Sequence, residues 1–462
     1  MKKRRIVALG LAAMLAVTTL AGCGIGSGGS DGKVTISVGN WPDETKPEAL
    51  KDKNRIKDEF EAKNPDIKIV SDTYGFDTKT FTMKAAADQL PTMFTTYFTE
   101  ISTIIKNGYA ADITEELKSS GFYDSMNPEL LELVTGPDGK VYGVPTDAYA
   151  QGLYVNKKMF RDAGLVNEDG SIKVPKTYQE LAEYAQIIKQ KTGKAGFILP
   201  TTNNCGGWNF LNIAWAYGVE FETQDENGKW HAAFDTPEAV EALQYIKDLK
   251  WKYNAFPDDT VIDLEKMSQY FATYQGAMMF NSPPGKFAEK YGTSIDDVYV
   301  GRLPEGPHGR YSQMGGNLYM FKKNATKEQI NAGLKWLEYT GISPKLTDEQ
   351  MESARISYKE SLNNGAIVLD RDAFNVWTNE ETIQKRRELR KEYTNVNPAD
   401  YAEYYAFEDV TIKPEPAACA QELYAVLDAC IQEVVTNKDA DVEKLIRDAA
   451  RDFQVNHLDK MD

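Results

Sequence analysis

The stretch from Lys33 to Val70 limits the fold more than any other. "KVTISVG" (33–39) alternates, placing Val34, Ile36 and Val38 on one face as a strand does. A charged segment around Glu48–Lys63 follows, and "PDIKIV" (65–70) begins a second strand. Strand, helix and strand within about forty residues make a βαβ unit, which implies a parallel pair, a right-handed crossover and an α/β domain. Later helix starts carry good signals. Thr177-Tyr178-Gln179-Glu180 and Thr326-Lys327-Glu328-Gln329 have the capping-box pattern, and Thr236-Pro237 puts proline at the first helical position. Turns are expected at 167–170, 225–228 and 304–309. Residues 343–462 read as mostly helical, with an irregular aromatic portion near Trp377 and Tyr401–Phe407. No internal repeat is visible.

The first residues have another purpose. Lys2, Lys3, Arg4 and Arg5 precede an apolar run from Ile6 to Ala21, the pattern of an export signal. The run falls short of the roughly 20 residues a spanning helix needs. It ends in Leu20-Ala21-Gly22-Cys23, which resembles a bacterial lipobox. That resemblance implies cleavage after residue 22, lipidation of Cys23 and a membrane anchor. Gly24–Gly32 is a glycine- and serine-rich tether. The formal net charge is −16, and the four basic residues of the signal contribute nothing once it is removed. So acidic a body is a poor nucleic-acid partner and is repelled by anionic lipid heads. A disulfide framework is excluded by the small number of cysteines: Cys23, Cys205, Cys419 and Cys430. Cys419 and Cys430 fit one apolar helix face. Eleven residues of continuous helix separate them by about 16 Å, too far to bridge.

Motifs for chemistry are missing from the sequence. No Gly-Lys pair is followed by Ser or Thr, so there is no P-loop, and the one Gly-x-Ser-x-Gly match, Gly28–Gly32, falls in the glycine- and serine-rich tether and not at a strand-to-helix elbow. The three histidines, His231, His308 and His457, never stand at metal-ligand spacing. "DRDAFNVWTNEE" (370–381) starts like a calcium loop but lacks the third ligand and the glycine. Neither an enzyme, a metal nor a cofactor is expected. The positive signal is aromatic: 25 Tyr, 19 Phe and 7 Trp, several beside amides or small residues in loops. Sugars suit such a surface. Their C–H faces lie on rings, and their hydroxyls need hydrogen bonds from amides and carboxylates once desolvated.

An ordered series then carries a resemblance. "AAADQLPTMF" (85–94), "NGYAADIT" (107–114), "GKVYGVPTDAYAQGLYVNKKMFRDAGL" (139–165), "VPKTYQEL" (174–181), "GAMMFNSP" (276–283), "RLPEGPHG" (302–309), "MGGNLYMF" (314–321) and "ATKEQINAGLKWLEY" (325–339) resemble the extracellular solute-binding proteins, family 1, of carbohydrate ABC importers. Thr92, Val155 and Tyr178 stand where Asp, Tyr and Trp are usual in that family. The resemblance implies an α/β, two-domain periplasmic-binding-protein-like (type II-like) fold with a ligand cleft between domains joined by hinge crossings. It implies a first domain from 33–147 plus 313–342, and a second from 148–312 plus 343–462, with 343–410 elaborating the second. Ligand contacts carried over onto this sequence are Trp41, Tyr97, Glu100, Asp147, Tyr149, Trp208, Asn209, Asn281, Gly316, Asn317 and Trp377. Within "TDAYAQ" (146–151), Ala148, Ala150 and Gly152 read as the close-packed side of a crossing strand, with Tyr149 on the other. The function implied is a lipid-anchored, extracytoplasmic, monomeric receptor that captures an oligosaccharide and delivers it to ABC permease subunits. The alternatives are a same-fold receptor for a peptide, polyamine or ferric ion, and a surface glycoside hydrolase or lectin-like domain.

Overall fold

The structure, a computed structural model, describes residues 32–461. The signal, Cys23 and the tether up to residue 31 lie outside the described residues. In chain order the strands are β1 (Val34–Val38), β2 (Ile67–Ser71), β3 (Met93–Tyr97), β4 (Gly143–Ala150), β5 (Gly152–Asn156), β6 (Glu222–Gln224), β7 (Trp230–Ala232), β8 (Met278–Asn281), β9 (Val298–Gly301), β10 (Tyr311–Phe321) and β11 (Thr411–Pro414). Six form one sheet, in the order β11-β10-β3-β1-β2 with β4 also on β10; β8-β5-β9 form a second, and β6 and β7 a small pair.

The βαβ unit is present. β1 and β2 pair in parallel, joined by the helix Pro47–Lys63 with proline in its first turn. Ile36 and Val38 are fully buried. The cap at Thr326 closes on both sides with Gln329. At Thr177 the hydroxyl accepts from Glu180 N, but the Glu180 carboxylate accepts from Lys176 N instead of the cap residue. Cys419 lies just before the helix Ala420–Thr436 with φ +49°, so the helical face starts after it. Cys205, Cys419 and Cys430 are free thiols.

Two large cores flank the passage between the sheets. One surrounds β1, β3 and the helix Lys327–Tyr339. The other surrounds β5 and the helices Cys205–Ala216, Pro237–Trp251 and Ala420–Thr436. Only Gln151 separates β4, in the first sheet, from β5, in the second. A side chain at Gly152 would put its Cβ 2.8 Å from Tyr404 Cδ2 and from Val300 Cγ1, so the crossing strand needs glycine there. The Tyr404 hydroxyl donates to the Ala150 carbonyl oxygen at 3.0 Å.

Residues 343–410, which the resemblance assigns as an elaboration of the second domain, also contact the first body. Trp377 packs edge-on against Phe122, 5.1 Å between centroids. Asn127 N donates to Val376 O and Thr378 N to Ser125 O, both at 2.8 Å. Arg386 donates to the carbonyls of Gly341 and Ser343. Phe122, Ser125, Asn127 and Gly341 belong to the first body, and Ser343 is the first residue of the segment itself. Ile367, Leu369, Tyr401 and Tyr404 instead join a third cluster around Tyr154, beneath β5. The arm therefore touches both bodies. Its helix Asp348–Asn363 buries no side chain.

Candidate functional site

The helix Cys205–Ala216 presents Trp208 from its first turn. Two glycines let that turn approach the helix Ala420–Thr436. A Cβ on Gly206 would lie 2.6 Å from Asp428 Oδ1, and one on Gly207 2.5 Å from the Tyr424 carbonyl oxygen. The Asp428 carboxylate accepts from Asn204 N and Gly207 N, both at 2.7 Å. An anion at a helix N-terminus satisfies amides that have no partner within the helix. Burial raises the Asp428 carboxyl above its usual range, and the amides of Gly207, Asn204 and Gly206 pull it back.

Tyr149 comes from the end of β4. Its ring covers Gly315 on β10, where a Cβ would meet the phenol oxygen at 2.6 Å. Tyr149 meets Trp208 edge to face, with 6.5 Å between centroids and 72° between planes. Burial pushes the Tyr149 phenol far up, and the charges of Glu415 and Asp147 push it in the same direction. Glu415, just after β11, accepts from the Tyr424 hydroxyl at 2.9 Å. Desolvation nonetheless raises its carboxyl to about 7.

On the same sheet as Tyr149, Asn317 of β10 pairs in register with Tyr97 of β3 and with Asp147 of β4. One row of the sheet therefore carries Tyr97, Asn317 and Asp147 side by side. The Asn317 amide donates to both Asp147 oxygens, at 3.0 and 3.1 Å. Tyr97 is 44% exposed, with its ring edge against Phe76. Glu100 follows in a short 3-10 turn. Burial lifts its carboxyl to about 7, the Thr99 hydroxyl lowers it, and Glu422 raises it further. Contacts between the bodies run from Gln421 Nε2 to Thr99 Oγ1 at 3.4 Å and from Lys106 to the Met461 carbonyl.

Of the residues carried over from the family, Tyr149 meets Trp208, and Tyr97, Asn317 and Asp147 share one row of the first sheet, with Glu100 just after β3. The others lie differently. Trp41 is 3% exposed, stacks on Trp336 at 5.9 Å and donates to Asn54, so its ring belongs to the first core. Trp377 is 5% exposed and holds the arm. Asn209 is fully buried and donates to Cys205 O within its own helix. Gly316 is covered by Phe98, whose ring a Cβ would meet at 2.4 Å; it leaves room for packing. The Asn281 oxygen accepts from Ser282 N, at the end of β8 beside Gly152. Sequence reasoning missed Glu415, Tyr424 and Gln313. Glu415 sits in Lys-Pro-Glu-Pro with no periodicity around it, and only the aromatic Tyr424 offered a visible signal.

Two α/β bodies, joined by strand crossings around a cleft of aromatic and carboxyl groups, define a two-domain solute-binding protein. The chain belongs to the bacterial extracellular solute-binding protein family, whose model matches residues 55–366. It is 25% identical over 372 residues to a binding protein of Brucella abortus (strain 2308), covering 76% of this chain and 82% of that protein. To the maltodextrin-binding protein MdxE of Bacillus subtilis (strain 168) it is 25% identical over 344 residues, covering 71% and 75%. The structure of T. maritima MalE3 with maltose bound has the same fold, with a TM-score of 0.66 at 21% identity, covering 91% of this chain and 99% of that one. Family and fold are those of extracytoplasmic binding proteins. Among the described residues no helix is long and apolar enough to cross a membrane, and no group of three His, Cys, Asp or Glu is placed to hold a metal ion.

Proposed function

We propose that the protein captures a carbohydrate, an oligosaccharide, between the face of the first sheet that carries Tyr149 and the Tyr97–Asn317–Asp147 row and the helix that carries Trp208. It then delivers the sugar to the permease of an ABC importer. The edge-to-face meeting of Tyr149 and Trp208, with Glu415 at the indole, carries this reading. Flat apolar rings beside hydrogen-bond acceptors suit a pyranose, whose C–H face is apolar and whose hydroxyls need partners once water is excluded. The maltodextrin named for the Bacillus subtilis relative and the maltose in the T. maritima structure agree with it. Binding favours the closed arrangement by as much as the sugar prefers it. In this reading 33–147 plus 313–342 form the first domain and 148–312 plus most of 343–462 the second, with the arm straddling both. Lipid on Cys23 holds the monomer at the membrane, and the sugar leaves unchanged because the protein's task is delivery.

Isothermal titration calorimetry against maltodextrins, chitooligosaccharides, arabino- and xylo-oligosaccharides tests this. Binding without release of reducing ends is the expected result. Heat from a peptide, polyamine or ferric ion, with none from any glycan at millimolar concentration, overturns it. Steady production of reducing ends would instead make the protein a glycoside hydrolase.

A further inference from the structure

Gln151, Asn212 and Gln313 are buried side-chain amides where the chain passes between the bodies: Gln151 is 2% exposed, the other two 0%. Gln151 is the single residue between β4 and β5, and Gln313 is the third residue of β10. The two crossings are tied directly. Gln151 N donates to Ser312 Oγ, and that hydroxyl donates to Gln151 O, both at 2.9 Å. Asn212 then joins them to the helix that carries Trp208. Its Nδ2 donates to Gln151 Oε1 at 2.8 Å, and its Oδ1 accepts from Gln313 N at 2.8 Å. Asn212 lies one turn after Trp208, on the same helix face.

Gln313 meets Trp208 at both ends. With its amide nitrogen toward the Trp208 carbonyl oxygen (2.6 Å), its oxygen accepts from the indole Nε1 (2.5 Å). Buried amides left without partners are destabilising, and a satisfied buried network holds one geometry. The indole is therefore fastened to the crossings as well as to its own helix.

We propose that Gln313 is a positioning residue for the Trp208 ring, and that Asn212 and Gln151 make the ring's placement follow the two strand crossings. This rests on the reading of the Tyr149–Trp208 cleft as the solute site. A rotation of the bodies about the crossings shifts Gln313 against the helix and moves the indole N–H with it.

The test uses the protein without added solute. The Trp208 contribution to tryptophan fluorescence is isolated by subtracting the spectrum of Trp208→Phe, and its quenching by acrylamide is measured. Gln313→Met is expected to red-shift this component and raise its quenching. Gln313→Glu keeps an oxygen for the indole N–H but sets its other oxygen against the Trp208 carbonyl, so it is expected to give a shift between the parent and Gln313→Met. Asn212→Leu, which touches the ring only through Gln313, is expected to give a smaller shift in the same direction. A lowered melting temperature in Gln313→Met with an unchanged Trp208 component overturns the proposal, leaving Gln313 as packing. If Gln313→Met does not fold, an unchanged Trp208 component in Asn212→Leu overturns it. Because no sugar is added, the result is independent of the calorimetric panel, whose failure would strike the carbohydrate reading alone.

Discussion

Gly207 and Tyr424 touch backbone to backbone: a Cβ on Gly207 would lie 2.5 Å from the Tyr424 carbonyl oxygen. Neither atom is the end of a flexible side chain, so neither can swing aside. Gly207→Ala should force the helix Cys205–Ala216 off the helix Ala420–Thr436 and strain the Asp428 bonds to Asn204 and Gly207. A loss of about 1–3 kcal/mol is expected in chemical denaturation, the scale of overpacking a tight interface. An unchanged unfolding midpoint would show that the two helices separate without cost.

Trp208→Ala removes the ring that faces Tyr149. Sugar affinity should fall by about 1–3 kcal/mol, the scale of truncating an anchor in a desolvated contact, as read by calorimetry with whichever glycan the panel identifies. Trp208→Phe keeps an apolar face and loses the indole donor, so its loss should be smaller. Equal affinities for the parent and Trp208→Ala would remove the ring from the site.

Trp41 should behave in the opposite way. It is buried against Trp336 and the helix Pro47–Lys63, so Trp41→Ala should cost about 3–5 kcal/mol of stability through the cavity it leaves. In the fraction that remains folded, sugar affinity should be nearly unchanged. A selective loss of affinity with normal melting would return Trp41 to the cleft.

The contrast between these two tryptophans shows what the sequence reveals. The βαβ start, the glycine at the crossing and the buried side of β4 were legible because alternation and steric demand are local. The row of Asp147 and Asn317 and the position of Tyr149 beside it follow from two of the quoted motifs, 139–165 and 314–321, which pair as β4 and β10. Trp41 and Trp377 follow strand-and-loop patterns of the same appearance. Whether such a ring turns toward solvent or core depends on partners such as Trp336 and Phe122, which are far away in sequence. Glu415 and Gln313 were hidden for a related reason. Their surroundings come from Tyr424, Trp208 and Asn212, brought together by packing between helices and crossings that no short window contains.

Three carboxyls give the protein a specific response to pH. Burial lifts Glu100, Glu222 and Glu415 to about 7 from a reference value of 4.5. The folded protein therefore binds more protons than the unfolded chain between those two values. Stability is greatest below the unfolded value, falls as pH rises through that window, and levels off above about 7. The melting temperature should decline from pH 5 to pH 7.5, and Glu415→Gln should flatten part of that decline. A melting temperature that rises across this interval would show that these groups are ionised and paired in the folded state.

The same carboxyls should select the solute by charge. Glu415 and Glu100 repel one another, Glu422 faces Glu100, and Asp147 acts on Tyr149 alongside Glu415. A phosphate or uronate brought into the cleft would meet acids at short range, and like charges placed together at a desolvated contact cost several kcal/mol. Glycerol 3-phosphate and glucuronate-bearing oligosaccharides should therefore bind more weakly than neutral oligosaccharides, on the order of tenfold or more. Raising the salt concentration should narrow the difference only partly, because buried charges are screened less than exposed ones. Glu100→Gln and Glu415→Gln should each improve binding of the anionic probes relative to the neutral ones. Competitive calorimetry at pH 8, where both carboxyls are mostly ionised, is the most demanding condition. An anionic sugar that binds there as tightly as its neutral counterpart would mean that the acids point away from the bound solute.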